Sequence, residues 1–100
     1  MISRHWRGIA KPEEADHYVR HLREETFPKL VAIEGFVDAS ILRRLTDQGV
    51  EFLIVTRWQS MEAIRQFAGE DVQVAVVPPT VRAMMVAYDE EVLHYEIVED

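Results

Sequence analysis

Residues 52–55 read Phe-Leu-Ile-Val, and that run constrains the fold more than any other stretch of the chain. Successive side chains on a strand point to opposite faces. Four consecutive apolar residues therefore put apolar surface on both sides of the sheet that holds them, and both sides need a cover. A chain of 100 residues has few helices to spare. The solution this predicts is helices on one face and a second copy of the chain on the other.

Composition narrows the field further. One hundred residues make one domain, spanning 1–100, with a single modest core. An apolar fraction of 48% with 29% charged residues is ordinary for a globular protein. A net charge of −7 repels phosphate backbones, so nucleic acid is excluded as an expected partner. Without cysteine there is no disulfide framework and no thiolate nucleophile or metal ligand. No run approaches the roughly 20 apolar residues of a membrane span, and residues 1–7 lack the apolar centre of a secretory leader. The expected setting is cytoplasmic, with no membrane partner.

The pattern along the chain alternates between two periods. Residues 2–10 read as a strand that ends at Lys11-Pro12. Pro12, followed by Glu13, Glu14 and Asp16, suits the start of a helix. Ala15, Tyr18, Val19, Leu22 and Thr26 then form one helical stripe. Pro28 interrupts the backbone bonding, and residues 29–34 carry the chain to Gly35 as a short irregular or helical segment. Residues 36–46 and 50–58 read as a hairpin, with turn chemistry in Asp47-Gln48-Gly49. Ser60 caps a helix that Gly69 ends. Residues 70–77 fit a strand, a loop or a short helix. Val81, Met84, Met85 and Tyr88 predict a short helix after Pro78-Pro79, and residues 92–98 a last strand. The order β-α-β-β-α-(α)-β predicts an α+β fold, a ferredoxin-like split βαβ sandwich on a four-stranded antiparallel sheet.

Phe36-Val37-Asp38-Ala39-Ser40 after Glu34-Gly35, the hairpin, and then Thr56-Arg57-Trp58-Gln59-Ser60-Met61-Glu62-Ala63 resemble the antibiotic biosynthesis monooxygenase (ABM) domain. The resemblance covers nearly the whole chain. It implies the dimeric α+β barrel, with a homodimer formed through the sheet face. Some members of that superfamily oxygenate aromatic polyketides without metal or flavin, and others cleave haem. In the haem-cleaving members a first-strand asparagine, a strand-end tryptophan and a histidine after the second helix form the site. Trp58 matches the tryptophan, and His5 stands near the asparagine position. No histidine occurs between Trp58 and His94, which leaves the axial-ligand position unmatched.

Candidate residues follow from chemistry and from the resemblance. Trp58 offers a flat apolar wall and one N–H donor for a ring. Cofactor-free oxygenation needs a phenolic or enolic substrate to lose a proton, and His5 or His94 suits that role near pH 7. Arg7 or Arg57 could steady the resulting anion. Alternation puts Arg7 on the His5 face of the first strand and Arg4 and Trp6 on the other. It also turns His94 and Tyr95 to opposite faces of the last strand. Tyr95 and Met84 complete the candidate substrate contacts. His17 and His21 have the i, i+4 spacing of a helical metal site, but they sit beside Glu13 and Glu24 on the polar face, so no metal site is expected.

The sequence therefore predicts a cofactor-independent monooxygenase for a small aromatic or polycyclic substrate, with no cofactor. The alternative is a non-catalytic homodimer that binds a small apolar or aromatic ligand or serves a structural role. A haem-binding or haem-degrading relative is the third reading.

Overall fold

The computed structural model describes residues 1–99. Strand β1 (Ile2–Ala10) leads through a 3-10 turn (Pro12–Glu14) into helix α1 (Ala15–His21), a π-helical turn (Leu22–Thr26) and helix α2 (Phe27–Val31). The hairpin of β2 (Phe36–Leu45) and β3 (Val50–Trp58) follows. Helices α3 (Met61–Ala68) and α4 (Pro79–Met84) and strands β4 (Met85–Tyr88) and β5 (Leu93–Glu96) complete the chain. All strand pairs are antiparallel, in the order β2-β3-β1-β4, with β5 also on β1. This is the ferredoxin-like α+β fold that the sequence pattern predicts.

Several elements form for local reasons. The side chain of Ser60 accepts the Ala63 N–H at 3.2 Å and so caps α3. Gly69 ends α3 at φ 83°, a conformation that favours glycine. In the hairpin, Thr46 and Gly49 exchange backbone hydrogen bonds of 2.8 and 3.3 Å across Asp47 and Gln48. Gly49 takes φ 149°, and a Cβ there would meet the Ala10 carbonyl oxygen at 2.4 Å. No other residue fits without moving β1.

Two predicted elements differ. Pro28 does not break the helical course; it sits at the start of α2. The missing N–H and the ring are accommodated one turn earlier, where the helix widens so that the Phe27 N–H bonds the Leu22 carbonyl five residues back. Residues 85–88, predicted as helix from their spacing, are strand β4. They pair with Gly8, Ile9 and Ala10, while β5 pairs with residues 2–5 of the same β1 edge. The free N–H and C=O groups of that edge demand partners, and pairing overrides a weak helical period. The expected fourth strand is thus two short pieces end to end, giving a five-stranded sheet four strands wide. Residues 70–77, left open by the sequence, belong to a strap that crosses at residues 71–78. It is held by Ala75 N–H to Glu90 O and Val92 N–H to Gln73 O, both 2.8 Å.

The helices cover one face of the sheet. Ala15, Tyr18 and Leu22 from the predicted stripe are buried against Phe52 and Ile54. Leu30, Trp58, Ala63 and Ile64 form a second cluster beside them. The other face carries Leu42, Leu53, Val55, His5, Leu93 and Tyr95, by the register of directly opposed pairs. Leu93 is 61% exposed and Tyr95 52%. Leu30→Ala, at a site 1% exposed, is expected to cost about 2–5 kcal/mol in urea unfolding. Leu45→Ala, at a site 78% exposed, is expected to stay within about 0.5 kcal/mol.

Candidate functional site

Strand β1 decides the site, because its two faces do different work. Arg4 and Trp6 point toward the helices, opposite Thr56 and Ile54 of β3. Between them and the helices lies a cavity of about 80 Å³, with Tyr18, Leu22, Phe27, Phe67 and Val92 among its walls. Gly8 permits this arrangement. The Trp6 indole lies across it, and a Cβ there would meet the ring at 2.5 Å. The indole N–H donates to the Asp89 carbonyl at 2.9 Å. Tyr18 packs edge-on against Phe52 at 4.9 Å, and burial raises its hydroxyl well above the ordinary range, so it stays a neutral phenol.

Arg4 is only 4% exposed. Its Nη1 donates to the Val72 carbonyl at 2.5 Å and contacts His94 Nε2 at 3.0 Å; its Nη2 donates to the Val74 carbonyl at 3.3 Å. The guanidinium carbon lies 5.9 Å from the centroid of the Phe67 ring. No carboxylate of the described residues lies within ion-pair distance of it. Burial lowers Arg4 to about 10, which leaves it charged at neutral pH.

The Arg4 contact also fixes the state of His94. A guanidinium only donates, so His94 Nε2 must accept and the ring proton belongs on Nδ1. The imidazole is therefore neutral. Burial first, then the Arg4 charge, then His5 push it below its ordinary 6.5. His94 sits directly across from Arg4 on β5, outside the lining of this cavity and in a separate surface depression with Ile2 and Met61.

The remaining predicted site residues separate. Trp58 is fully buried one layer behind the cavity. Its indole N–H donates to Thr56 Oγ1 at 2.8 Å, and its ring stacks on Phe67 at 6.4 Å. It shapes the cavity through Thr56 and Phe67 without lining it. His5 lies on the face away from the helices, with Nε2 2.9 Å from Ser3 Oγ and the ring edge-on to Tyr95 at 4.9 Å. Arg7 lies on that same outer face, bonded to Glu51, which also binds Arg44. Those two arginines, Arg44 first, lower the Glu51 carboxyl. Arg57 meets Asp38 at 3.5 Å on that outer face. Met84 packs against the core cluster, outside the cavity lining. The pairing of His5 or Arg7 with Trp58 in one pocket therefore does not occur, because alternation on β1 turns them to opposite sides of the sheet. His17 meets Glu14 at 3.0 Å on a wet surface, and no three-residue metal cluster forms among the described residues.

Sequence reasoning missed Arg4, Trp6, Tyr18, Phe27 and Phe67 as cavity residues. The alternation that grouped Arg4 with Trp6 was the available signal. What it lacked was which face of β1 the helices cover, a matter of three-dimensional packing.

Fold and cavity together define a ferredoxin-like domain with a small aromatic-walled cavity between sheet and helices. Residues 1–78 match the antibiotic biosynthesis monooxygenase family, and the chain belongs to it. Solved structures share the fold. A Bacillus cereus protein assigned to antibiotic biosynthesis monooxygenases is 19% identical, with TM-score 0.66, covering 99% of this chain and 92% of its own. One from Deinococcus radiodurans is also 19% identical, with TM-score 0.65, over 100% and 95%. A MhuD variant with two manganese protoporphyrin IX molecules per active site is 18% identical, with TM-score 0.63, over 100% and 97%. No curated protein matches the chain. No helix is long and apolar enough to cross a membrane.

A porphyrin does not fit this cavity. A cavity of about 150 Å³ takes up a single benzene, against the 80 Å³ present, and no histidine lines the wall.

Because the folded protein holds His94 below 6.5, the unfolded chain binds more protons in the window under that value, so stability rises with pH there. The thermal midpoint is expected to fall as pH drops below 6.5. His94→Gln should reduce that fall, leaving the share due to His5, which burial shifts the same way. Melting curves across that range check it.

Proposed function

We propose that this protein is a cofactor-independent monooxygenase for a substrate of about one aromatic ring, working as a homodimer paired through the outer face of the sheet. The observation that carries the catalytic reading is the small aromatic-walled cavity between sheet and helices, in a chain of the antibiotic biosynthesis monooxygenase family. The outer face supports the dimer. Leu42, Leu53, Val55, Leu93 and Tyr95 form an apolar centre there, and Arg7, Glu51, Arg44, Asp38 and Arg57 ring it with charge.

The chemistry needs little from the protein. A phenol loses its proton, and the electron-rich phenolate passes an electron to O₂. The two radicals join as a carbon peroxide, which takes back the proton the phenol lost to become a hydroperoxide and then expels water to leave a carbonyl. Phenol and O₂ then balance quinone and water, with all electrons from the substrate. Trp6, Tyr18, Phe27 and Phe67 exclude water and stack the ring. His94, one hydrogen bond from the Arg4 of the cavity wall, is held neutral near pH 7 and is the base of this reading. It accepts the proton once Arg4 releases its Nε2.

The size of the cavity also supports a second reading, a ligand-binding domain without chemistry. Oxygen consumption separates the two. Aerobic incubation with a panel of substituted phenols and naphthols is expected to consume O₂ above the buffer rate for at least one, with ¹⁸O from O₂ entering the quinone. His94→Gln is expected to lower kcat about a hundredfold or more, and wild-type activity is expected to hold through 6.5, the ordinary histidine value, and to decline only at lower pH, because the folded protein holds His94 below it. Ligand binding with no O₂ consumption for any compound would leave the binding domain.

A further inference from the structure

We propose that the cavity is a receptor for a small monoanion carried on a single aromatic ring, a carboxylate or phenolate, and that Arg4 is the group that receives it. This names the ligand class of the oxygenase cavity and rests on that reading for the cavity's purpose. The observation behind it is the state of Arg4 itself. A guanidinium is rarely taken this far out of water without an anion beside it, because desolvation is costly unless the charge is paired. Here the residue is buried, and what surrounds its charge is neutral. Two backbone carbonyls, a neutral imidazole and the face of Phe67 are its neighbours.

The guanidinium also has capacity left. Its bonds to Val72, Val74 and His94 leave the Nε–H and one Nη2–H without an acceptor among the described residues. Arg4 is the only cation on the cavity wall among the described residues, and the rest of that wall is apolar or hydroxyl-bearing. An entering oxyanion meets a fixed positive fork in a low-dielectric setting, where a charge-assisted bond is strongest. The ring then lies against Trp6 and Phe67.

The size of the cavity says how the ligand gets in. The cavity of about 80 Å³ is about half the size of one that takes up benzene, about 150 Å³, so the strap of residues 71–78 gives way to admit the ring. Two of the strap's attachments are the Arg4 bonds to the Val72 and Val74 carbonyls. A carboxylate competes for those same donors. The anion that binds is thus also the group that unfastens the cover, and the freed carbonyls turn to water at the surface, where Val74 is already half exposed. A neutral ring of the same shape has no means to do this. The opposing reading makes Arg4 a clasp for the strap and nothing more, and it predicts no preference for charge.

Benzoate and benzamide differ in charge and hardly in shape, and neither is a phenol that could turn over. Binding is therefore read apart from oxygen chemistry, and either reading can fail alone. Calorimetric titration is expected to show benzoate binding at least tenfold tighter than benzamide. The Arg4 Nε–H resonance is expected to move with benzoate and stay with benzamide. Arg4→Gln is expected to weaken benzoate about ten- to a hundredfold and to erase the preference. Should that variant not fold, the wild-type affinity ratio and the Arg4 resonance decide. Equal binding of the two probes, no binding of benzoate, an unmoved Nε–H signal, or a folded Arg4→Gln protein that keeps the preference would overturn the proposal.

Discussion

A strand with apolar side chains on both faces sets the terms for everything else in this protein. In β3, Phe52 and Ile54 turn to the helices, and Leu53 and Val55 turn away. The chain spends its helices on the first pair. The second pair, with Leu42, Leu93 and Tyr95, stays on the outer face, which the proposed dimer covers with a second copy. The division also sorts the polar residues. His5, Arg7 and Arg57 go to the outer face, where they meet Ser3, Glu51 and Asp38. Arg4 and His94 go to the inner one.

On the inner face, most of the space between sheet and helices is filled. Leu30, Phe52, Trp58 and Ile64 are fully buried and close-packed. The exception is the neighbourhood of Arg4, where a charge occupies ground that an aliphatic residue would fill at lower cost. The cavity, the strap and the neutral His94 all meet at that one guanidinium. Its carbonyl acceptors come from residues 72 and 74 and its imidazole from β5, so parts of the chain up to 90 positions apart converge on a residue of the first strand. In the proposed reading, binding at the cavity couples to the strap and to the state of His94 through that convergence.

Much of the fold was legible because local signals agreed with one another. Ser60 and Gly69 bound a helix, Asp47-Gln48-Gly49 a hairpin, and the order of periods the split βαβ pattern. The family was legible from Thr56-Arg57-Trp58 and the capped helix that follows. Residues 85–88 misled because their helical spacing is real but weaker than the demand of an open β1 edge. Pro28 misled because a π turn absorbed it. The site was less legible for a different reason. Alternation correctly divided β1 into an Arg4–Trp6 face and a His5–Arg7 face, but a sequence does not say which face the helices will cover. Trp58 carried the family resemblance, yet its work is in the packing behind Thr56 and Phe67.

The account depends most on the claim that the outer face of the sheet is covered by a second copy of the chain. Sedimentation equilibrium at micromolar concentration tests it directly. The account predicts a particle of twice the 11.6 kDa chain mass. A well-folded particle of 11.6 kDa under those conditions would contradict it.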